Sequence, residues 1–127
     1  MDERNKEKLR RIAQYTQEDF NSEEDVKFKF VVKLLECLDY GEQDMDFESG
    51  RTDISLKNLP DECKVIIETK NYNFNLSNYQ FISQLEEYCR RFHALIGVLA
   101  NGTELRIYTP YMMGKKFEES MLCIIKR

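Results

Sequence analysis

The sequence contains a single histidine, and this scarcity limits the catalytic sites that it can build. Among 127 residues only His93 is of this type, so HExxH and His-Asn-His metal sites lack ligands. A Ser-His-Asp hydrolase would have to use His93, which follows Arg90-Arg91-Phe92 at a predicted helix end with no obvious nucleophile nearby. Histidine-based hydrolysis is therefore disfavoured.

The cysteines show none of the spacings that metal and redox motifs require. Cys37, Cys63, Cys89 and Cys123 lie 26 to 34 residues apart, without a CxxC pair. This spacing, with one histidine to assist, excludes a zinc finger or a CxxC redox motif. Each thiol lies in or beside an apolar segment, so we expect reduced cysteines that serve as small core residues.

Long apolar runs and phosphate-binding glycine motifs are also missing. The uncharged run around the most apolar segment, His93 to Gly102, is about half of the ~20 residues that span a bilayer. The N-terminus is charged where a signal peptide needs an apolar stretch, so we expect a cytoplasmic protein that does not associate with membranes. No GxGxxG or GxxxxGK[ST] motif supports a nucleotide-binding fold.

The composition is that of a compact globular domain. Hydrophobic residues make up 42% and charged residues 33% of the chain, so one core is feasible and general disorder is not. The net charge of -4 argues against nucleic-acid binding by bulk electrostatics alone. Positive charge is nevertheless concentrated in one predicted helix, at Arg4, Lys6, Lys8, Arg10 and Arg11. A solvated surface is the default interpretation of such a cluster.

Hydrophobic periodicity predicts one α/β domain spanning residues 1–127. Helices are predicted at 3–17, Ser22 to Leu38 and Ser77 or Asn78 to Phe92, and strands at Met45 to Glu48, Asp53 to Leu56, Lys64 to Lys70, Ala94 to Ala100 and Glu104 to Tyr108. Turns are predicted at Ser49-Gly50, Pro60-Asp61 and Asn101-Gly102. The segment 115–127 fits either a helix up to Met121, which we favour, or an edge strand at LCIIK. This order predicts a mixed central β-sheet of about five strands flanked by helices.

Three charged residues are expected to meet at one end of this sheet. Glu68 and Lys70 lie on the same face at the end of an apolar strand, because side chains alternate along a strand. If the preceding strand pairs antiparallel, Asp53 at its start approaches Glu68. Paired carboxylates can hold Mg²⁺ together with waters and substrate phosphate, and a neighbouring lysine can act on an attacking water. The alternatives are strand-end solvation for Glu68 and Lys70, and surface ion pairs for the whole set.

These residues occur in an order that resembles a known nuclease pattern. Thr52-Asp53, Glu68-Thr69-Lys70 and Gln84 with Tyr88 are similar to the D…ExK…QxxxY motifs of the PD-(D/E)XK nuclease superfamily. The flanking segments Ser22 to Val26, Leu38-Asp39-Tyr40, Leu99 to Gly102 and Arg106 to Tyr108 resemble the N-terminal nuclease domain of type I restriction enzyme R subunits. The resemblance covers a restriction-endonuclease-like core at residues 22–108, with a helical extension at 1–20 and a C-terminal extension at 109–127.

The resemblance implies a role for each matching residue. Asp53, Glu68 and the backbone carbonyl of Thr69 would hold Mg²⁺, for which Mn²⁺ substitutes, and Lys70 would act on the attacking water. Gln84 would orient the lysine or a phosphate, and Tyr88 would support Gln84 or contact the DNA backbone. Glu24, with Glu23 as the alternative, would supply the acid that the family often adds from the first core helix, although a charged first turn explains either equally well.

The resemblance also implies a function and a set of partners. The first hypothesis is a Mg²⁺-dependent DNA endonuclease domain of restriction type. The alternative is a catalytically silent or partner-dependent module that binds nucleic acid or assembles with other subunits. Partners would be DNA and either a second copy or the helicase, methyltransferase or specificity subunits of a restriction system. The five N-terminal basic residues would contact phosphates. The family's usual Leu-Gly-Tyr is Leu38-Asp39-Tyr40 here, and the proline before its aspartate is Thr52.

Overall fold

A six-stranded sheet forms the centre of the molecule. The computed structural model describes residues 2–47, 53–60, 63–110 and 112–127, so the predicted turn at Ser49-Gly50, residues Arg51 and Thr52, and Asp61 of the second predicted turn lie outside the described residues. The strands are β1 (Met45–Phe47), β2 (Ile54–Leu56), β3 (Val65–Thr69), β4 (Ile96–Ala100), β5 (Glu104–Tyr108) and β6 (Met121–Lys126). They lie side by side in sequence order.

One pair of neighbouring strands runs parallel, and its connection is a helix. β3 and β4 are parallel, whereas the other four described pairs are antiparallel. A parallel pair needs a crossover, and helix α4 (Tyr79–Arg91) supplies it. The Asn78 side chain caps α4 by accepting from the Gln80 N–H at 2.9 Å. The mixed α/β architecture predicted from the sequence is therefore confirmed, with six strands rather than about five.

The remaining helical segments precede the sheet, except for one 3₁₀ turn between β5 and β6. They are α1 (Glu3–Gln14), α2 (Glu23–Asp25), a π-helical segment (Val26–Val31), α3 (Val32–Cys37) and short 3₁₀ turns at Gln17–Asp19, Glu42–Asp44 and Phe117–Glu119. α2, the π segment and α3 follow one another without a break, where the sequence predicted one regular helix. None of the helices in the described part of the chain is long and apolar enough to cross a membrane.

The sheet separates two apolar clusters. On one face Ile54, Ile67 and Val98 pack with Val26 and Phe30 of the N-terminal helical segments. On the other face the buried sheet residues Ile66, Leu99 and Tyr108 pack with Leu85 and Cys89 of α4. Gly97 permits this second contact, because a Cβ atom there would lie 2.6 Å from Cys89 Sγ. The molecule is thus a three-layer arrangement with the sheet in the middle.

The favoured helix at the C-terminal end is a wrong prediction. Residues Met121–Lys126 form β6, which pairs antiparallel with β5. Phe117, Met121 and Ile124 have helical spacing, but the β-branched residues Ile124 and Ile125 favour a strand once β5 offers a hydrogen-bonding edge. Cys123 is correspondingly exposed on β6, so the expectation of a core cysteine fails at this position. All four cysteines are free thiols, with Cys37 and Cys89 buried.

Candidate active site

Asp53 and Glu68 meet because β2 and β3 run antiparallel. Ile54 lies opposite Ile67, so the residue before one strand faces the residue near the end of the other. The backbone N–H of Asp53 donates to Glu68 Oε1 at 3.2 Å. The structure therefore brings together the two carboxylates that the sequence singled out.

The Asp53 carboxylate is held from two sides. Its Oδ2 accepts from the backbone N–H of Thr69 at 2.7 Å and from Thr69 Oγ1 at 3.1 Å. Its Oδ1 lies 3.6 Å from the Lys27 ammonium. Charge-assisted hydrogen bonds of this kind restrict a side chain strongly, so Asp53 has a fixed orientation beside Glu68.

Glu68 is a buried acid with an altered affinity for its proton. Glu68 is only 6% exposed. Burial, and to a lesser extent the negative charge of Asp53, raises the pKa of Glu68 from 4.5 to about 8, while Lys70 acts in the opposite direction. Two neighbouring carboxylates of which one is desolvated favour either a proton or a cation between them.

Lys70 is positioned by a chain of hydrogen bonds from α4. Its ammonium donates to Gln84 Oε1 at 3.2 Å, and Gln84 Nε2 donates to the Tyr88 hydroxyl at 3.1 Å. Gln84 and Tyr88 are neighbours on α4 because they are four residues apart. Tyr88 is only 7% exposed, which suits a positioning role better than a contact with the DNA backbone. The Lys70 ammonium also lies 4.7 Å from the centre of the Phe81 ring.

Lys27 is a charged residue at this site that the sequence reasoning missed. It is only 1% exposed, and its ammonium lies 3.0 Å from Glu24 Oε1 as well as 3.6 Å from Asp53 Oδ1. The signal was present, because Lys27 lies three and four residues before the buried Phe30 and Val31 on a helix. A lysine within an apolar stripe needs a buried partner. Glu24 is thereby linked to Asp53 through Lys27, with its own side chain 58% exposed.

The donor set suits a hard divalent cation with few protein ligands. Among the described residues no group of three or more Asp, Glu, His or Cys side chains is arranged to hold a metal. The set consists of two carboxylates, Asp53 and Glu68, with the Thr69 carbonyl as the further oxygen that the family resemblance assigns. Mg²⁺ is commonly held by one or two carboxylates together with waters and substrate phosphates, so the residues present fit this ion.

The predicted phosphate contacts lie on α1, and most of them have acidic partners. Lys6 pairs with Glu3 at 3.2 Å, Lys8 with Glu36 at 2.9 Å and Arg10 with Glu7 at 3.3 Å. Arg4 and Arg11 are exposed on the same helix, which packs against α3. The positive charge available on α1 is therefore smaller than the sequence count indicates.

A cavity of about 860 Å³ lies between α3 and β1, away from Asp53, Glu68 and Lys70. Its lining includes Phe28, Tyr40, Met45 and Phe47 but none of the carboxylates or lysines of the candidate site. The candidate chemistry is therefore located at the ends of β2 and β3 rather than in this cavity.

Asp53 directly precedes β2, and Glu68 and Lys70 lie at the end of β3, which is the arrangement that the resemblance to the PD-(D/E)XK nuclease superfamily implied. A family model described as type I restriction enzyme R protein N terminus (HSDR_N) matches residues 22–121. The chain belongs to this family, which indicates a role in a restriction system. No curated protein and no solved structure matched the chain.

Proposed function

We propose that the domain is a Mg²⁺-dependent DNA endonuclease of restriction type. The observation that carries this proposal is the convergence of the Asp53 and Glu68 carboxylates beside Lys70, whose ammonium is oriented by Gln84. Two carboxylates and a lysine supply a cation site and a positive group that can act on the attacking water and the phosphate, which are elements that metal-assisted phosphodiester hydrolysis uses.

Each residue has a separate task in this proposal. Asp53, Glu68 and the Thr69 carbonyl hold the cation, which when bound supplies Lewis-acid polarisation of the phosphate. The Lys70 ammonium orients the attacking water by hydrogen bonding and neutralises the negative charge that develops on the phosphate, and Gln84 with Tyr88 keeps this ammonium in place. Glu24 acts through Lys27, which contacts Asp53, so we assign Glu24 a positioning role at this site.

The partners follow from charge and from the number of metal centres. One centre cuts one strand, so cleavage of a duplex requires a second copy or another subunit of the restriction system, of the helicase, methyltransferase or specificity type. The net charge of -4 leaves DNA affinity dependent on local contacts such as Arg4 and Arg11 or on a partner. We place this activity in the cytoplasm, where the four free thiols remain reduced.

The second candidate function is a binding or assembly module on a nuclease fold. The observation that favours it is the pairing of Lys6, Lys8 and Arg10 with acids on the protein itself, which weakens autonomous DNA binding. The two functions differ in whether the domain itself cleaves bound DNA, with Lys70 required for that cleavage.

Lys70→Ala tests the endonuclease directly. If the Lys70 ammonium acts on the attacking water and the phosphate, cleavage of plasmid DNA in Mg²⁺ or Mn²⁺ should fall by on the order of 10² to 10⁴ while metal affinity is retained. Lys64, exposed just before the same strand, provides the matched control, and Lys64→Ala should cleave normally. Equal cleavage by Lys70→Ala and the unaltered protein would contradict the proposal, and bound but uncut DNA with both would favour the assembly module.

A further inference from the structure

Two parallel aromatic rings lead from Lys70 to the solvent. The Lys70 ammonium lies 4.7 Å from the centre of the Phe81 ring. Phe81 stacks on Phe74 with ring centres 6.3 Å apart and an interplanar angle of 5°. Phe74 lies in the loop between β3 and α4 and is 46% exposed although its ring is covered by Phe81 on one side. An aromatic ring is thus presented to solvent beside the candidate active site.

The loop holds this ring in place rather than leaving it free. The Phe74 carbonyl accepts from Asn101 Nδ2 at 2.6 Å, and Asn101 is itself only 2% exposed at the end of β4. The Phe74 N–H donates to the Asn71 carbonyl at 3.2 Å. Two residues later, Leu76 is 1% exposed and packs into the cluster under α4. The backbone of Phe74 is therefore fixed on both sides of an exposed apolar ring.

We propose that Phe74 is a stacking platform for an unpaired nucleobase of the DNA substrate. This inference rests on the proposed function, since it takes the phosphate next to Lys70 as the site of cleavage. A fixed half-exposed ring accepts the face of any base with little loss of conformational freedom. The Lys70–Phe81 distance of 4.7 Å and the Phe81–Phe74 distance of 6.3 Å place that base close to the phosphate at Lys70.

The platform restricts the form of the substrate. In an intact duplex both faces of each base are covered by neighbouring bases, so a base must be extruded before it can stack on a side chain. Extrusion is least costly at a mismatch, at a strand end or in a single strand. The domain should therefore prefer DNA with unpaired nucleotides near the cut over perfectly paired DNA.

Binding of a short single-stranded oligonucleotide containing 2-aminopurine tests this platform, with chelator present so that no cleavage occurs. Phe74→Ala should weaken binding by roughly tenfold, the usual effect of losing one base–aromatic stack, and should abolish the change in 2-aminopurine fluorescence that accompanies this stack. Phe74→Tyr should retain both. Phe74→Leu keeps an apolar side chain against Phe81 but lacks a ring face, so it should behave like Phe74→Ala. The salt dependence of binding should stay unchanged, because Phe74 carries no charge.

Phe28 provides a matched control. It is 45% exposed and also packs on a second phenylalanine, Phe47, but it lies outside the loop between β3 and α4. Phe28→Ala should leave both the affinity for the oligonucleotide and the change in 2-aminopurine fluorescence unaltered. The inference is overturned if Phe74→Ala binds as tightly as the unaltered protein, if Phe28→Ala causes the same loss, or if the unaltered protein shows no preference for unpaired DNA.

Cleavage assays separate failure of this inference from failure of the endonuclease proposal. If Lys70→Ala loses cleavage and Phe74→Ala binds single strands normally, the stacking platform is excluded and the endonuclease proposal stands. Weak binding by Phe74→Ala together with full cleavage by Lys70→Ala retains the platform and removes the proposed nuclease chemistry.

Discussion

Glu68 couples the electrostatics of the site to pH. Its side chain is removed from water and lies beside Asp53, which raises its pKa to about 8 from 4.5. In the metal-free protein it therefore carries a proton at neutral pH, whereas in the unfolded chain it does not. Each unit of pKa difference corresponds to about 1.4 kcal/mol between the two protonation states, so this one residue has a measurable effect on stability.

The stability of the metal-free protein should fall as pH rises from about 5 to about 8. Between the unfolded and folded pKa values of Glu68 the folded state holds more protons than the unfolded state, so the free energy of unfolding decreases with pH. The contribution is complete below the unfolded pKa and is lost as pH passes through the folded value. Urea denaturation at a series of pH values measures it, and Glu68→Gln should show a smaller decrease over the same range.

Mn²⁺ provides the complementary measurement. If Glu68 holds the cation as proposed, Mn²⁺ displaces the proton of Glu68, so calorimetric Mn²⁺ affinity should rise with pH up to about 8. Asp53→Ala should lose this binding. A pH-independent affinity, or equal binding by Asp53→Ala, would place the metal elsewhere.

Sequence alone predicted most of this convergence for simple geometric reasons. Alternation along β3 puts Glu68 and Lys70 on one face, and a spacing of four residues puts Gln84 and Tyr88 on one face of α4. Hydrophobic periodicity does not identify Lys27 as a site residue, because periodicity predicts which positions of a helix are buried but not which group pairs with a buried cation. That pairing depends on the folded arrangement. The altered pKa of Glu68 likewise depends on burial that no local pattern reveals.

At the scale of elements, the first core helix differs most informatively from the regular helix predicted. Its spacing of apolar residues is nearly regular, yet Val26–Val31 adopt π-helical geometry. The segment buries Val26 and Phe30 and also the neighbouring Lys27. π turns are rare and occur frequently at functional sites. Here the turn contains Lys27, whose ammonium lies beside the Asp53 carboxylate. Local periodicity does not encode such a turn, because its benefit comes from a tertiary contact.

Lys27→Ala should therefore destabilise the fold far more than neighbouring lysine substitutions. It removes the buried ammonium between Glu24 and Asp53 and leaves Asp53, whose side chain is 22% exposed, without this cation, which should cost about 1–3 kcal/mol. Lys33→Ala is the control, because Lys33 is 47% exposed and its pairing with Glu36 spans 3.8 Å, which predicts a loss below about 1 kcal/mol. Urea denaturation compares the two, and similar losses would show that Lys27 has no special structural role.

The strand β6 illustrates the opposite error, in which tertiary pairing overrides local spacing. Its residues satisfy a helical pattern and a strand pattern equally, so a single sequence could not decide between them. The neighbouring strand β5 favours the strand conformation, because it offers a hydrogen-bonding edge. Leu105 of β5 lies opposite Ile125, and Ile107 lies opposite Cys123. As a result, β6 is an apolar strand at the edge of the sheet.

At the scale of the whole molecule, β6 offers an apolar edge to which a second copy can pair. Within the described residues it pairs with β5 alone, and its apolar side chains are exposed: Met121 37%, Leu122 50%, Ile124 39% and Ile125 41%. An open apolar edge is a template for strand pairing. The acidic residues Glu118 and Glu119 precede the strand and Lys126 ends it. Antiparallel pairing about a two-fold axis therefore sets the acidic end of one copy against the basic end of the other.

We expect a dimer that is broken by one charge on this edge. The unaltered protein should sediment with the mass of two copies, and Ile124→Lys should sediment as a monomer because a charge on an edge strand opposes further pairing. Met113 is the control, since it is 97% exposed outside β6, and Met113→Lys should remain dimeric. If each centre cuts one strand as proposed, the Ile124→Lys monomer should still nick plasmid DNA but should convert it to the linear form more slowly. A monomeric unaltered protein, or an Ile124→Lys variant that stays dimeric while folded by circular dichroism, would exclude β6 as the interface.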